Sequence, residues 1–414
     1  VLAAAGRRAG RPAHIALFGF PGYGHVAPTL AVTEELIARG HQVTCFVADR
    51  FADLVAGAGA EVITHRSVFP GQVQADTDPM VIAAEFIRES FAPLAGALAR
   101  FGTSPPDVLA HDALTSDTAR ILSRKFGLPL VRLFPGLGGN EEVPLNGTQG
   151  RTAAMPTGPV HPALAALTAE LSDSLAALDV AQYAADGLAS GADADHNLVF
   201  IPRAFQPQAE MFGDQFTFAG PCLRARDLRA EWAPADPDVP VALVSLGTSA
   251  ERSADFFRLC ACAFDGAPWQ VVMTLGREMD PASLGTLPGN VSCHRWLPHL
   301  AVLRHAEVFV CQAGMGSVME SLYQATPLIA IPVSPDSFAV AERISELGLG
   351  RMISPDELTQ SALRVAVREV TADPGIRARV GAFSTAVREC GGAGLAADVL
   401  IAQARFSGVA STSR

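Results

Sequence analysis

Lysine is all but missing from this chain: Lys125 is the only one, so nearly all positive charge is arginine, and the net charge is −11. With no basic cluster, nucleic acid or an anionic membrane surface is a poor candidate for the main partner. Long apolar runs are missing too. No stretch of eighteen apolar residues occurs, and the opening VLAAAGRRAGRPA lacks the apolar segment of a signal peptide, which predicts a soluble, cytoplasmic protein. The seven cysteines include no C-x-x-C pair, and Cys45, Cys260, Cys262 and Cys311 lie in apolar runs where a thiol acts as a small hydrophobe. Neither a zinc site nor a disulfide framework is implied. Scarce lysine beside abundant alanine reads as the mark of a GC-rich genome rather than of a function.

Apolar residues make up 49% of the 414, enough for sizeable cores, and this length predicts two domains of about 200 residues each. Short apolar runs alternate with helical patterns twice over. HIALFGF, QVTCFVA, AEVITH, PDVLAHD and LPLVRLF read as strands in the first half, with helices near 30–39, 50–58, 79–101 and 115–126. VALVSLG, WQVVMTLG, NVSCHRW, AEVFVCQ and PLIAIPV do the same in the second. The alternation implies an α/β protein with two parallel, Rossmann-like sheets, each covered by helices on both faces. Residues 220–240, rich in proline and charge, read as a linker. Residues 136–195 read as loops and helices added to the first domain, and the last helical pattern, 373–406, is free to pack across either domain.

Two glycine loops stand out. In FGFPGYGHVAPTL, Gly22 to Ala27 has the G-x-G-x-x-A spacing of a dinucleotide fingerprint, and Asp49 follows at about the distance of a ribose-binding carboxylate. That reading predicts a nicotinamide-dependent dehydrogenase. Against it, Pro28 favours a helix that starts near itself, which would leave His25 on an extended loop beyond the first strand. Asp112 ends another strand at the same sheet edge. It can pair with His25 as a base-and-orienter dyad, or it can cap the following helix. The second loop, Gln312-Ala313-Gly314-Met315-Gly316-Ser317, runs from a strand into a helix and suits a phosphate. Ser317 and Glu320 also fit an S-x-x-E capping box, which needs no ligand. SLGTS offers a further anion loop through Gly247, Thr248 and Ser249. A diphosphate held on one side of a cleft and a base on the other would make glycosyl transfer.

HIALFGFPGYGHVAPTLAVTEELIARGHQVT, VSLGT, RWLPHLAVL, AGMGSVMESLYQATPLIAIPVSPDS and AERISELGLG, in this order, resemble the macrolide-type branch of the GT-B glycosyltransferases over about residues 14–400. The resemblance implies an N-terminal acceptor domain (13–220), a linker (221–240), a nucleotide-sugar domain (241–385) and a final helix (386–406) crossing back to the first domain. It implies inverting, metal-independent transfer of a sugar from a nucleotide diphosphate to an acceptor hydroxyl. No cofactor is then expected, the nucleotide sugar being a co-substrate, and a homodimer is a candidate assembly. By the same resemblance His25 is the base and Asp112 its partner. Trp296 stacks on the nucleobase beside Leu297, Glu320 takes the ribose hydroxyls, and Asp336 touches the sugar. Gly247, Thr248, Gln312, Gly314, Met315, Gly316 and Ser317 surround the diphosphate.

Four residues depart from the family's pattern. Gln312 stands in place of a histidine, Gly316 of an asparagine, Ser337 of a sugar-binding glutamine, and His299 of a common glutamine. Serine reaches fewer sugar hydroxyls than glutamine, so Ser337 predicts a deoxysugar donor, thymidine- or uridine-linked. The acceptor implied is a large apolar natural product, in a pocket shaped by 65–90 and 136–195. The rival readings are a UDP-glucose-dependent transferase that inactivates a macrolide and a non-catalytic, transferase-like auxiliary protein.

Overall fold

Continuous apolar runs become buried strands: β1 (His14–Phe18) and β4 (Val108–Asp112) are covered along almost their whole length, as helices on both faces of a parallel sheet require. The structure is a computed structural model that describes residues 11–67, 69, 77–143, 161–184, 194–247, 254–276 and 279–410, the side chains of 406–410 aside. Among the described residues the first sheet has seven strands. They are β1, β2 (Gln42–Ala48), β3 (Glu61–His65), β4, β5 (Leu130–Phe134), β6 (His196–Val199) and β7 (Phe216–Phe218), in the spatial order β3-β2-β1-β4-β5-β6-β7. Its connections carry α1 (Tyr23–Ala38), α2 (Ala52–Ala56), α3 (Pro79–Phe91), α4 (Leu94–Phe101), α5 (Asp117–Phe126), α6 (Pro162–Ala177) and α7 (Ala181–Ala184).

After α8 (Ala225–Leu228) comes a six-stranded sheet of β8 (Val241–Ser245), β9 (Gln270–Thr274), β10 (Val291–His294), β11 (Ala306–Cys311), β12 (Leu328–Ala330) and β13 (Gly350–Met352), ordered β10-β9-β8-β11-β12-β13. Its helices are α9 (Ala254–Ala263), α10 (His299–Leu303), α11 (Met315–Tyr323), α12 (Pro335–Glu346), α13 (Gln360–Ala372), α14 (Pro374–Glu389) and α15 (Gly392–Ala410). The strand order reverses between β1 and β4 and again between β8 and β11. In open parallel sheets such reversals leave a crevice beyond the strands' carboxyl ends, where ligands bind.

The ten expected strands are all present, and the sequence reading misses β6, β7 and β13. The expected helix over 79–101 is two helices, divided where Pro93 cannot continue the hydrogen-bond ladder. The terminal pattern also divides, at Gly391 and Gly392, whose φ values of 52° and 50° leave the helical region. The 221–240 stretch is fastened rather than loose: Arg224 pairs with Glu34, Arg304 donates to the Leu228 carbonyl at 3.0 Å, and the Trp232 ring lies 5.8 Å from that of His305. Beyond Gly392, α15 packs on α1, β1 and β4, and Arg39, just after α1, reaches Asp398 at 2.6 Å and the Gly394 carbonyl at 3.1 Å. Of the second half, α12 sends Arg343 to the carbonyls of Phe205 and Ala204, at 3.0 and 3.1 Å.

Candidate active site

At the first reversal the register sets Phe18 of β1 beside His111 of β4, so the loop after β1 and the last residue of β4 meet. The imidazole of His25 donates through Nδ1 to Oδ2 of Asp112 at 2.8 Å. Oδ1 of Asp112 accepts from the Leu114 amide at 2.9 Å, so one carboxylate fixes the turn before α5 and the histidine together. The pairing with His25 forms, but Asp112 does not cap α5, which starts at Asp117 after Ser116 without a side-chain cap bond. A carboxylate accepts only, which leaves Nε2 of His25 as the basic nitrogen. Burial disfavours the imidazolium, yet the charge and hydrogen bond of Asp112, and then the charge of Asp336, outweigh it and raise the His25 pKa above 6.5. A Cβ on Gly22 would come within 3.2 Å of the imidazole, so glycine there makes its seat. The Phe20 ring packs edge-on to His25 at 4.9 Å and touches Phe69 and Phe86 at 5.0 and 5.5 Å.

His25 is not on an extended loop. α1 begins at Tyr23, capped by Gly22 without a side-chain bond, and Pro28 lies inside the helix. The one hydrogen bond that Pro28 cannot make would go to Gly24, an exposed residue whose carbonyl water can satisfy. The Thr29 hydroxyl adds bonds to the His25 and Val26 carbonyls at 2.7 and 3.0 Å. The cost of the proline is thus small enough for the helix to start within the glycine turn.

At the second reversal, Cys311 of β11 pairs with Ser245 of β8, which brings the loops after them together. Gly247 has φ 68°, and a Cβ there would stand 2.9 Å from Nε2 of Gln312; one on Gly314 would stand 3.6 Å from it. The buried Gln312 amide therefore lies between the two loops. Ala313, fully buried, holds φ 62°, a conformation that costs energy for any residue with a Cβ and that marks functional turns. α11 follows with Gly314 as its cap, and its first internal bond runs from the Val318 amide to the Gly314 carbonyl at 3.0 Å. The amides of Met315, Gly316 and Ser317 precede that bond and are turned out at the helix's positive end. The Ser317–Glu320 capping box does not form, because α11 starts at Met315 and both residues lie inside it.

Trp296, after β10, is 56% exposed, and Leu297 beside it packs on the apolar core of the second sheet. Glu320 is half-buried, and desolvation with the nearby Asp227 pushes its pKa up to about 7. Asp336 is exposed in the first turn of α12, close enough for its charge to act on His25. Ser337 has another task. Its hydroxyl accepts from the amides of Val333 and Ser334, both at 2.9 Å, and donates to the Ser334 carbonyl at 2.8 Å, completing a capping box with Ser334. Its hydroxyl is thus engaged inside the turn that opens α12. Thr248 and part of the expected acceptor-pocket stretches lie outside the described residues. The sequence carries no signal for Phe20, which packs on His25, or for Asp227, whose charge acts on Glu320.

Comparison with known proteins shows the family and the fold. Residues 262–388 match the model for the C-terminal domain of erythromycin biosynthesis protein CIII-like proteins. The chain is 34% identical to the NDP-glycosyltransferase YjiC of Bacillus licheniformis, over 96% of this chain and 99% of that one. It is 34% identical to the oleandomycin glycosyltransferase of Streptomyces antibioticus, over 95% and 91%. Among solved structures, a calicheamicin glycosyltransferase superposes with a TM-score of 0.81 at 35% identity, covering 95% of this chain and 98% of that one. No described helix is long and apolar enough to cross a membrane.

Proposed function

Because the chain belongs to the macrolide-type GT-B glycosyltransferases and is a sugar-transferring enzyme, we propose that it moves a deoxysugar, with inversion, from a TDP- or UDP-sugar to a hydroxyl of an apolar natural product. The observation that carries the reading is the His25–Asp112 pair at one strand reversal, with Asp336 of α12 acting on the same imidazole. An acceptor hydroxyl is too weak an acid to attack unaided. Nε2 of His25 takes its proton as the oxygen bonds to the anomeric carbon, and Asp112 stabilises the imidazolium that forms. The bond from that carbon to the diphosphate breaks, and the nucleoside diphosphate leaves with the electron pair. Its growing charge falls among Gly247, Gln312 and the first-turn amides of α11, fixed donors that need no rearrangement. Trp296 stacks on the base and Glu320 takes ribose hydroxyls.

Two of the similar proteins are named for oleandomycin and calicheamicin, and the Phe20, Phe69 and Phe86 rings beside His25 suit an acceptor of that apolar kind. With Ser337 closed into its cap, Asp336 is left to meet the sugar, which favours a donor with few hydroxyls. The test is turnover with UDP-glucose and with UDP- and TDP-deoxysugars against hydroxylated macrolides, reading the anomeric configuration of the product. Transfer with inversion and a preference for deoxysugars is expected. Retention of configuration, or a preference for glucose, would overturn the corresponding half of the reading.

A further inference from the structure

Glu89 lies in the last turn of α3, and its side chain has no exposed surface. A carboxylate there meets the negative end of the helix dipole and loses its hydration, so neither the helix nor the core accounts for it. The segment that leaves β3 does. Oε1 of Glu89 accepts from Nε2 of His65, the last residue of β3, at 2.9 Å. Oε2 accepts from the Ser67 hydroxyl at 2.9 Å and from the Phe69 amide at 3.2 Å. A carboxylate only accepts, at several lone pairs, so it can gather donors from an irregular turn that no ladder satisfies. Because β3 runs parallel to β2 and β1, this turn opens on the same sheet edge as the His25 loop.

One turn back on α3, Phe86 takes the other side of the segment. Its ring meets that of Phe69 at 4.5 Å, and both meet Phe20, which lies against His25. One helix face thus holds Phe69 twice, its main chain through Glu89 and its ring through Phe86. We propose that Glu89 is a positioning residue for acceptor choice: by fixing the turn after β3 it sets Phe69 into the apolar wall beside the basic nitrogen of His25. The proposal rests on the reading of these rings as the acceptor's wall. A large apolar acceptor leans on that wall, whereas a single-ring acceptor reaches His25 with little contact to it.

Steady-state transfer by the full chain to erythromycin A and to 4-nitrophenol, at saturating donor, tests this. Glu89→Ala raises the macrolide's KM roughly tenfold, the low end of what burying one phenyl ring is worth, and leaves its kcat, the KM for 4-nitrophenol and the Kd for UDP as they were. Glu89→Gln restores most of the native KM, since its oxygen still accepts from Ser67 and Phe69 and its amino group can donate to His65 in the other tautomer. Because Glu89 acts through Phe69, Phe69→Ala with Glu89→Ala is no worse than Phe69→Ala alone. If the native chain shows no preference for the macrolide, or Phe69→Ala leaves its KM unchanged, the wall reading fails and the proposal with it. If Phe69→Ala raises that KM and Glu89→Ala does not, the proposal alone fails. It fails too if Glu89→Ala raises both acceptors' KM alike, or if the two substitutions multiply in full. Should Glu89→Ala not fold, Ser67→Ala removes one bond to the same carboxylate: a smaller rise for the macrolide alone supports the proposal, and no rise overturns it.

Discussion

Each sheet reverses its strand order once, between β1 and β4 in the first and between β8 and β11 in the second, and each puts its polar loops at that reversal. What stands there differs. The first reversal presents an ionisable pair, His25 and Asp112, 2.8 Å apart. The second presents glycines, a neutral amide and the open end of α11, with no lysine and no arginine between β11 and α11. A proton must be taken and later released, and only a side chain that titrates can do this. A diphosphate keeps its charge throughout, and backbone amides can hold it without any group changing state. One layout therefore serves two chemistries.

Separating the two regions is the way to test that division. The largest effect belongs to the base: His25→Ala should lower kcat by ~10²–10⁴-fold while the Kd for UDP or TDP, measured by calorimetry, stays as it was. A change confined to nucleotide affinity would reverse the roles of the two reversals. Asp112→Asn should cost less, as the orienting carboxylate of a catalytic triad costs less than its base. The pH profile sharpens this prediction. His25 works only when neutral, so kcat/KM rises with pH through its raised pKa; removing the Asp112 charge lowers that pKa, and the rising limb should move to lower pH even as the plateau falls. A limb that stays in place would separate Asp112 from the titrating group.

On the other side, Trp296→Ala should weaken nucleotide binding by ~1–3 kcal/mol, the worth of one base stacked on an aromatic ring, with kcat at saturating donor little altered. The smallest effect is at Ser337. Ser337→Ala should lower stability by about 0.5–1.5 kcal/mol through loss of the bonds its hydroxyl makes to the Val333 and Ser334 backbone, read from denaturant midpoints, and leave the ratio of deoxysugar to glucose turnover unchanged. A shift in that ratio would return Ser337 to the sugar.

The strand ends were the most legible part of this protein. A run such as VLAHD is apolar until its last residues, so the position of Asp112 at a ligand-bearing edge follows from the pattern itself. The start of α1 was not legible, because a local preference, that of Pro28, gave way to a helix that the sheet and α15 hold from outside. Capping was misplaced for a related reason. Ser317 and Glu320 have the familiar spacing and lie inside a helix, while the box that forms uses Ser334 and Ser337, whose second serine does not fit the usual S-x-x-E/Q pattern. The bonds of Glu89 to His65 and Ser67 join segments far apart in the chain, and no spacing rule covers them.

The two passages between the sheets run side by side: the Gly392 amide donates to the Ala219 carbonyl at 2.8 Å, and a side chain on Gly220 would collide with Cys390. This makes the molecule awkward to recombine. A chimera that splices the first half of this chain to the second half of a relative at one point in 220–240 imports a foreign α15, which must then dock on a native α1 without a guarantee of Arg39's partner at position 398. The exchangeable unit is a cassette cut at both crossings, roughly from 221 to 390, with the terminal helix kept alongside the half it rests on.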